Sequence, residues 1–402
     1  VNLLEESITK KPRIEQLANS VSGYFSTIIL IIALLTFVGW YFWADSFEQA
    51  LIVGISVIVI ACPCALGLAT PMATLVGISI AAKRGILFKE ASFLETMAQS
   101  DILALDKTGT ITEGKPSVVK ADFFGEFDPS LLHSLVSTSN HPISKGIKEY
   151  LESKHHKLEA LTLEDISSIE AKGVKATYKE QQLLGGNAEL IQSSSLTVDA
   201  DSENALFFFT LDDTLVARFE LTDTIREGAA KAIRNIQELG VKVVMLTGDH
   251  EKSAQKVAAQ VGVDEVYAKL LPQDKSGMIE KFHQDGHVVV MVGDGINDAI
   301  ALASSDISIA MGNGADVAIS VSDIVLLDEK PESIYESYKI SRRTFGAVKE
   351  NLGFSLLYNV VAVPLAMMGF VNPLVAALSM SLSSLVVVGN SMRIKSLKFK
   401  DK

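Results

Sequence analysis

Three short loops carry residue types suited to phosphoryl chemistry, and each follows a compact apolar run. They are Asp106-Lys107-Thr108-Gly109-Thr110, Thr247-Gly248-Asp249 and Gly293-Asp294-Gly295-Ile296-Asn297-Asp298. Asp106 and Asp294 would form a costly pair of neighbouring carboxylates unless a hard cation lay between them, and oxygen donors beside phosphate suit Mg²⁺. Phosphoryl transfer asks mainly for positioning and for neutralisation of spreading negative charge. The small residues Thr108, Gly109, Gly248 and Gly295 let backbone N–H groups approach phosphate oxygens. Lys275, in Leu271-Pro272-Gln273-Asp274-Lys275, adds a positive charge, although a lone lysine is as readily a solvated surface residue. One acidic loop by itself reads as a turn, since Asp-Gly commonly marks one. Three in order, each after a strand, point to one site.

A second constellation lies in apolar sequence, at Cys62-Pro63-Cys64. Residues two apart on a helix point about 200° away from each other. Both thiols face one ion only if the helix unwinds, and Pro63 removes a hydrogen bond that would hold it. Tyr358, Asn359, Met380, Ser383 and Ser384 add polar or soft groups in later apolar stretches, and Met380 and Ser384 share a helix face. Thiolate and thioether donors select Cu(I). A Zn²⁺ or Cd²⁺ site would be expected to bring a carboxylate, and these stretches hold none. The plainer reading treats the cysteines as apolar packing and the polar groups as bonds between helices.

The elements that must hold these residues follow from hydrophobic pattern. The runs 101–105, 242–246 and 288–292 read as buried parallel strands, and ligands of such sheets bind beyond the strands' carboxyl ends. The stretches 22–43, 50–82, 352–370 and 373–392 contain no Asp, Glu, Lys or Arg and read as four membrane spans. The second is too long for one straight crossing and is expected to kink near Pro63, Gly67, Pro71 or Gly77. Basic residues such as Lys83, Arg84, Arg342, Arg343 and Arg393 flank the spans on one side, which places both termini and the middle segment in the cytosol. Composition agrees with an apolar part joined to a soluble one: mean hydropathy is +0.29 although 21% of residues are charged. The net charge of −12 excludes nucleic acid as a natural partner. Both of the chain's cysteines lie inside one span, so no disulfide framework is expected.

The motifs at 106–110, 247–249 and 293–298 resemble those of the P-type ATPases, whose phosphorylation domain is related to haloacid dehalogenase-like hydrolases. The resemblance implies that Asp106 is a nucleophile and that Asp294 and the Thr108 carbonyl hold Mg²⁺. It also implies that Thr247 and Lys275 contact the phosphoryl group and that Asn297 and Asp298 order their loop, with Lys107, Gly248 and Asp249 in the same set. Asn140-His141-Pro142, Lys172-Gly173 and Gly186-Asn187 resemble the nucleotide-binding elements of the heavy-metal branch, where the histidine lies beside adenine. His141, Gly173, Gly186 and Asn187 are the ATP residues so implied. Val136, Asn140 and Ala171 depart from that pattern, standing where the family usually has two glutamates and a glycine. Cys-Pro-Cys with Tyr-Asn and Met-x-x-Ser-Ser resembles the copper-exporting subgroup, which implies Cys62, Cys64, Tyr358, Asn359, Met380 and Ser384 as metal ligands.

The fold so expected is an α/β haloacid dehalogenase-like phosphorylation domain (84–118 and 217–345), with an inserted α+β nucleotide-binding domain (119–216). A four-helix transmembrane region (1–83 and 346–402) completes it. The Thr-Gly-Glu loop of the family's actuator domain is not found, and the chain is expected to be a fragment whose first 19 residues lead out of that domain. The expected partners are ATP, Mg²⁺, Cu(I), the lipid of a cell membrane, the upstream actuator domain and a cytosolic copper chaperone. Silver is left open as a second cargo. The competing readings are a Zn²⁺ or Cd²⁺ pump, a membrane-anchored phosphohydrolase, and a non-catalytic metal-binding membrane protein.

Overall fold

The computed structural model describes residues 13–62, 64–155, 157–169, 172–194, 196–200, 202, 204–293, 298–312 and 316–397. Its centre is a seven-stranded sheet with the order β1-β13-β12-β11-β2-β9-β10. The strands are β1 (Ile86–Phe88), β2 (Ile102–Asp106), β9 (Lys242–Leu246), β10 (Glu265–Tyr267), β11 (Val289–Gly293), β12 (Ile307–Met311) and β13 (Ile324–Leu326). All neighbours run parallel except β1, which pairs antiparallel to β13. The central strands β2, β11 and β12 are buried at every position. That explains their continuous apolar sequence, because helices cover both faces of such a sheet. Ser92–Gln99, Ala229–Glu238 and Glu251–Val261 pack on one face, and Pro272–Gln284 with Ala299–Ser304 on the other.

A second sheet, six-stranded and antiparallel, has the order β3-β8-β7-β6-β5-β4. Its strands are β3 (Thr112–Phe123), β4 (Glu164–Ile169), β5 (Gly173–Tyr178), β6 (Gln181–Gly186), β7 (Ala205–Leu211) and β8 (Thr214–Ile225). Helices Pro129–Ser137 and Pro142–Lys154 cover one face, and Ala188–Ser193 the other. The expected borders at 118/119 and 216/217 fall inside β3 and β8. These strands pair from Thr112–Ile225 to Phe123–Ala217, so a two-stranded ribbon carries the chain out of one sheet and deep into the next.

The apolar helices are Arg13–Ala44, Phe47–Ile60, Cys64–Lys83, Pro331–Met367 and Pro373–Met392. The overlong stretch 50–82 is divided: one helix ends at Ile60, the next begins at Cys64, and Cys62 lies in the break. Pro63 lies outside the described residues. The stretch 352–370 is not a separate helix but the end of Pro331–Met367, whose first turns bury Ile334 and Tyr338 in the soluble core. Among the described residues, two helices, Tyr24–Ala44 and Pro373–Ser396, are long and apolar enough by themselves to cross a membrane. One continuous helix thus runs from the core of the α/β domain into the apolar bundle.

Candidate phosphorylation and metal sites

β2 delivers Asp106 at its carboxyl end, 6% exposed, with Leu246 of β9 beside it in register. The chain then curls through Lys107–Ile111, where Thr108 turns extended and Gly109 takes φ 75°, a conformation other residues resist. Lys275 reaches in from the first turn of Pro272–Gln284 and is 5% exposed. Its Nζ donates to Asp106 Oδ1 at 2.5 Å and to Asp298 Oδ1 at 2.7 Å. Desolvation pulls the Lys275 pKa down, but the two carboxylates outweigh it and hold the pKa above its ordinary value. A buried cation between two anions is thus kept charged. Thr247 is buried beside Asp106's strand, and its Oγ1 accepts from the Asp249 N–H at 3.2 Å. Lys107 is ion-paired with Asp249, which also accepts from Ser253 Oγ at 3.3 Å.

The structure therefore gathers Asp106, Lys275 and Asp298 into one cluster, with Lys107, Thr247, Gly248 and Asp249 on adjoining loops. Asp294 and Asn297 lie outside the described residues; they follow β11, whose Val292 is in register with Leu105 of β2. Carboxylate and backbone carbonyl oxygens without His or Cys are the donor chemistry of a hard cation, and on that ground the residues fit Mg²⁺.

Residues not singled out from sequence also build this site. Arg226, one step past β8, donates from Nη2 to the Gly109 carbonyl at 2.8 Å, from Nε to the Thr112 carbonyl at 3.1 Å and from Nη1 to Glu329 Oε2 at 3.0 Å. Asp223 accepts from the Thr112 hydroxyl at 2.5 Å and from the N–H groups of Gly114 and Lys115 at 3.2 and 3.0 Å. Together they clamp the loop after Asp106 to the ribbon leading to the second sheet. The signal available was Asp223-Thr-Ile-Arg226 at the return of the insertion. Thr110 is buried, and its hydroxyl has no partner among the described residues.

In the second sheet, a cleft is lined by His141, Lys172, Gly173, Gly186, Asn187 and Phe207, among others. Gly173 and Gly186 face each other across β5 and β6. A Cβ on Gly173 would stand 2.2 Å from the Gly185 carbonyl oxygen, and one on Gly186 2.2 Å from that of Lys172, so only glycine fits either place. His141 caps the Pro142–Lys154 helix, its Nδ1 accepting from the Ile143 N–H at 3.3 Å. Burial lowers its pKa. Asn187 caps Ala188–Ser193 through Oδ1, which accepts from the Leu190 N–H at 2.9 Å. Val136 lies in the core under this sheet, and Ala171 lies outside the described residues.

Among the apolar helices, Cys62 sits in the helix break and is disulfide-bonded. The chain has one other cysteine, Cys64, whose side chain lies outside those described. This departs from the expectation of two free thiols. Asn359 is 8% exposed, and its Oδ1 has no partner among the described residues. Tyr358 shares a hydrogen bond with Ser379 Oγ at 2.8 Å, and Ser384 donates to the Met380 carbonyl at 3.3 Å. A second polar knot was not read from sequence. Asn351 donates to the Ala69 carbonyl at 3.1 Å and to Ser391 at 2.9 Å, while Asn390 donates to Asn351 and Glu350, each at 3.0 Å. It ties the three helices Cys64–Lys83, Pro331–Met367 and Pro373–Met392 together.

A largely parallel sheet with a buried aspartate at the carboxyl end of an inner strand points to a class, and the comparison with protein families agrees. The chain belongs to the haloacid dehalogenase-like hydrolases, whose family model matches residues 101–306. Along its whole length it is similar to heavy-metal pumps. A copper-exporting P-type ATPase of Staphylococcus haemolyticus (strain JCSC1435) is 38% identical over 99% of this chain, and one of Staphylococcus aureus (strain MW2) is 39% identical over 99%. The chain spans about half, 51%, of the length of these curated relatives. The crystal structure of a zinc-transporting PIB-type ATPase in the E2.Pi state matches with a TM-score of 0.77 and 28% identity, covering 98% of this chain and 66% of that one. The catalytic CPx-ATPase domain CopB-B matches with a TM-score of 0.56 and 28% identity, covering 65% of this chain and 98% of that one.

Proposed function

We propose that this chain is the phosphorylation, nucleotide-binding and metal-conducting part of an ATP-driven Cu(I) export pump. One observation carries the reading: Asp106 lies buried at the end of β2 against Lys275 and Asp298, in a chain similar over 99% of its length to copper-exporting P-type ATPases. An Asp106 carboxylate oxygen attacks the γ-phosphorus of ATP, the bond from that phosphorus to the bridging oxygen breaks, and ADP leaves, so the carboxylate becomes an acyl phosphate. Lys275, already 2.5 Å from Asp106 Oδ1, neutralises charge on the phosphoryl oxygens, and Thr247 and Gly248 position them. Mg²⁺, held by Asp106, Asp294 and the Thr108 carbonyl, would supply further charge neutralisation. Asn297 and Asp298 order the loop, and Lys107 with Asp249 braces the facing one. His141, Gly173, Gly186 and Asn187 hold the nucleotide.

The cargo binds at Cys62 and Cys64 as reduced thiolates, with Met380 as a soft third donor and Tyr358, Asn359 and Ser384 around them. Basic residues at the cytosolic helix ends, among them Lys83, Arg84 and Arg343, orient the chain with its soluble domains in the cytoplasm of a cell membrane. The natural partners are an upstream actuator domain and a cytosolic copper chaperone. Copper is preferred to zinc because the curated relatives are named for it and the four spans carry no carboxylate. The test is labelling from γ-³²P-ATP with Mg²⁺. The chain should take an acid-stable, hydroxylamine-sensitive label, and Asp106→Asn should abolish it, because an amide is no nucleophile. Normal labelling of Asp106→Asn would sink the assignment.

A further inference from the structure

Ser355 and Asn359 stand four residues apart on the Pro331–Met367 helix, so they share one face with Cβ atoms roughly 6 Å apart. Both are enclosed, Ser355 at 1% exposure and Asn359 at 8%. Ser355 Oγ and Asn359 Oδ1 nevertheless have no hydrogen-bond partner among the described residues. Ser337, Ser384 and Ser391 donate to the carbonyl four residues back, whereas Ser341, nearer the soluble core on the same helix, is buried without a partner among the described residues. Ser355 makes no such bond either. One turn towards the cytosolic end, Asn351 is fully bonded to Ala69 and Ser391, which fixes the backbone beneath the unpartnered pair.

The two groups are chemically complementary. A serine hydroxyl donates one proton, and an amide oxygen accepts through two lone pairs. A side-chain rotation within one helical turn, or a single bridging water, joins them. An asparagine amide also has two ends of nearly equal shape, of which only the oxygen can meet a cation. Ala61, next to Cys62, shares an apolar cluster with Tyr358, next to Asn359. We propose that Ser355 is a positioning residue of the metal site, its hydroxyl donating a hydrogen bond to one lone pair of Asn359 Oδ1 and leaving the other for the ion held at Cys62. The proposal rests on the reading of Cys62 and Asn359 as cargo ligands.

The experiment is competition for Cu(I) between the reduced, detergent-solubilised full chain and a chelator of known affinity. It compares the parent, Ser355→Ala, Ser355→Thr, Asn359→Ala and the Ser355→Ala/Asn359→Ala double variant. Ser355→Ala should weaken binding about three- to tenfold, the range of one net hydrogen bond. Ser355→Thr keeps the hydroxyl and should keep parental affinity. In the Asn359→Ala background the serine change should have no further effect, because the group it positions is gone. Circular dichroism and the thermal melting of each variant report folding independently of metal and nucleotide. Parental affinity in Ser355→Ala, a loss in Ser355→Thr, or an equal loss with and without Asn359 would overturn the proposal. Parental affinity in Cys62→Ser is a separate result, and it would remove the metal-site reading itself.

Discussion

The proposed phosphorylation site and the proposed metal site in the apolar helices treat buried polarity in opposite ways. Around Asp106 the charges are already paired, with Lys275 on two carboxylates and Lys107 on Asp249. The Thr110 hydroxyl there has no partner among the described residues. In the apolar helices, Thr70, Ser341, Thr344, Ser355 and Asn359 each have a buried side-chain oxygen with no partner among the described residues. A low-dielectric setting makes both choices costly to disturb. A site whose chemistry is charge neutralisation gains from donors fixed before the substrate arrives. On the proposed reading, a site that takes an ion and releases it gains from polar groups near it that are left unbonded in the ion-free state.

The largest effect that separates the two regions is expected at Lys275. Lys275→Met removes the cation and leaves Asp106 and Asp298 buried as an uncompensated pair, a loss of about 3–5 kcal/mol by analogy with broken buried ion pairs. Labelling of Asp106 should fall by about 10²–10³ as well. Adding Asp298→Asn relieves the repulsion and should return part of the thermal stability without returning the label. If the double variant recovers labelling together with stability, Lys275 is a structural counter-ion and the contrast between the two regions collapses.

Much of the phosphorylation site was legible because its signals are local. A fully buried parallel strand must be an unbroken apolar run, and 101–105, 242–246 and 288–292 each match an observed strand to within a residue or so. Lys275 lies far along the chain from Asp106, and only the residue types argued for their meeting. Arg226 and Asp223 were missed because the reading looked for chemistry after parallel strands, whereas β8 is antiparallel and returns from an insertion. The division of 50–82 followed from length and proline chemistry. The merging of 352–370 into a 37-residue helix did not, because a helix crossing from soluble core to apolar bundle has no single hydrophobic pattern. Asn351 and Asn390 carried no local signal, since their worth lies in contacts between three helices.

At the helix site a smaller effect is expected, because soft donors can be removed one at a time. Cys62→Ser replaces a sulfur with a hard hydroxyl and should remove tight Cu(I) binding in the reduced chain, while labelling chemistry at Asp106 stays intrinsically possible. Met380→Leu keeps the shape, loses one weak thioether contact and should weaken binding by less. Chelator competition with Zn²⁺ in parallel decides the cargo. Tight Zn²⁺ binding with weak Cu(I) binding would move the assignment to a divalent metal.

The smallest effect is expected at His141, an exposed residue at the edge of the cleft whose ring is partly desolvated and has no ion pair among the described residues. Burial holds its pKa below the ordinary histidine value, so the native chain binds fewer protons there than the unfolded chain. The stabilising contribution is therefore complete above the unfolded value near 6.5 and is lost as pH falls through the lowered native value. Two contacts have the same sign: Nδ1 must stay unprotonated to accept from the Ile143 N–H, and the helix N-terminus disfavours positive charge. His141→Asn keeps a capping acceptor and removes the titration. Between pH 7.5 and 5.5, the parent's ATP affinity and melting temperature should fall relative to those of His141→Asn, and the two chains should run parallel above pH 7. Parallel curves across the whole range would show that protonation of His141 is not felt by the fold or the nucleotide, and that the cleft owes its pH response to another group.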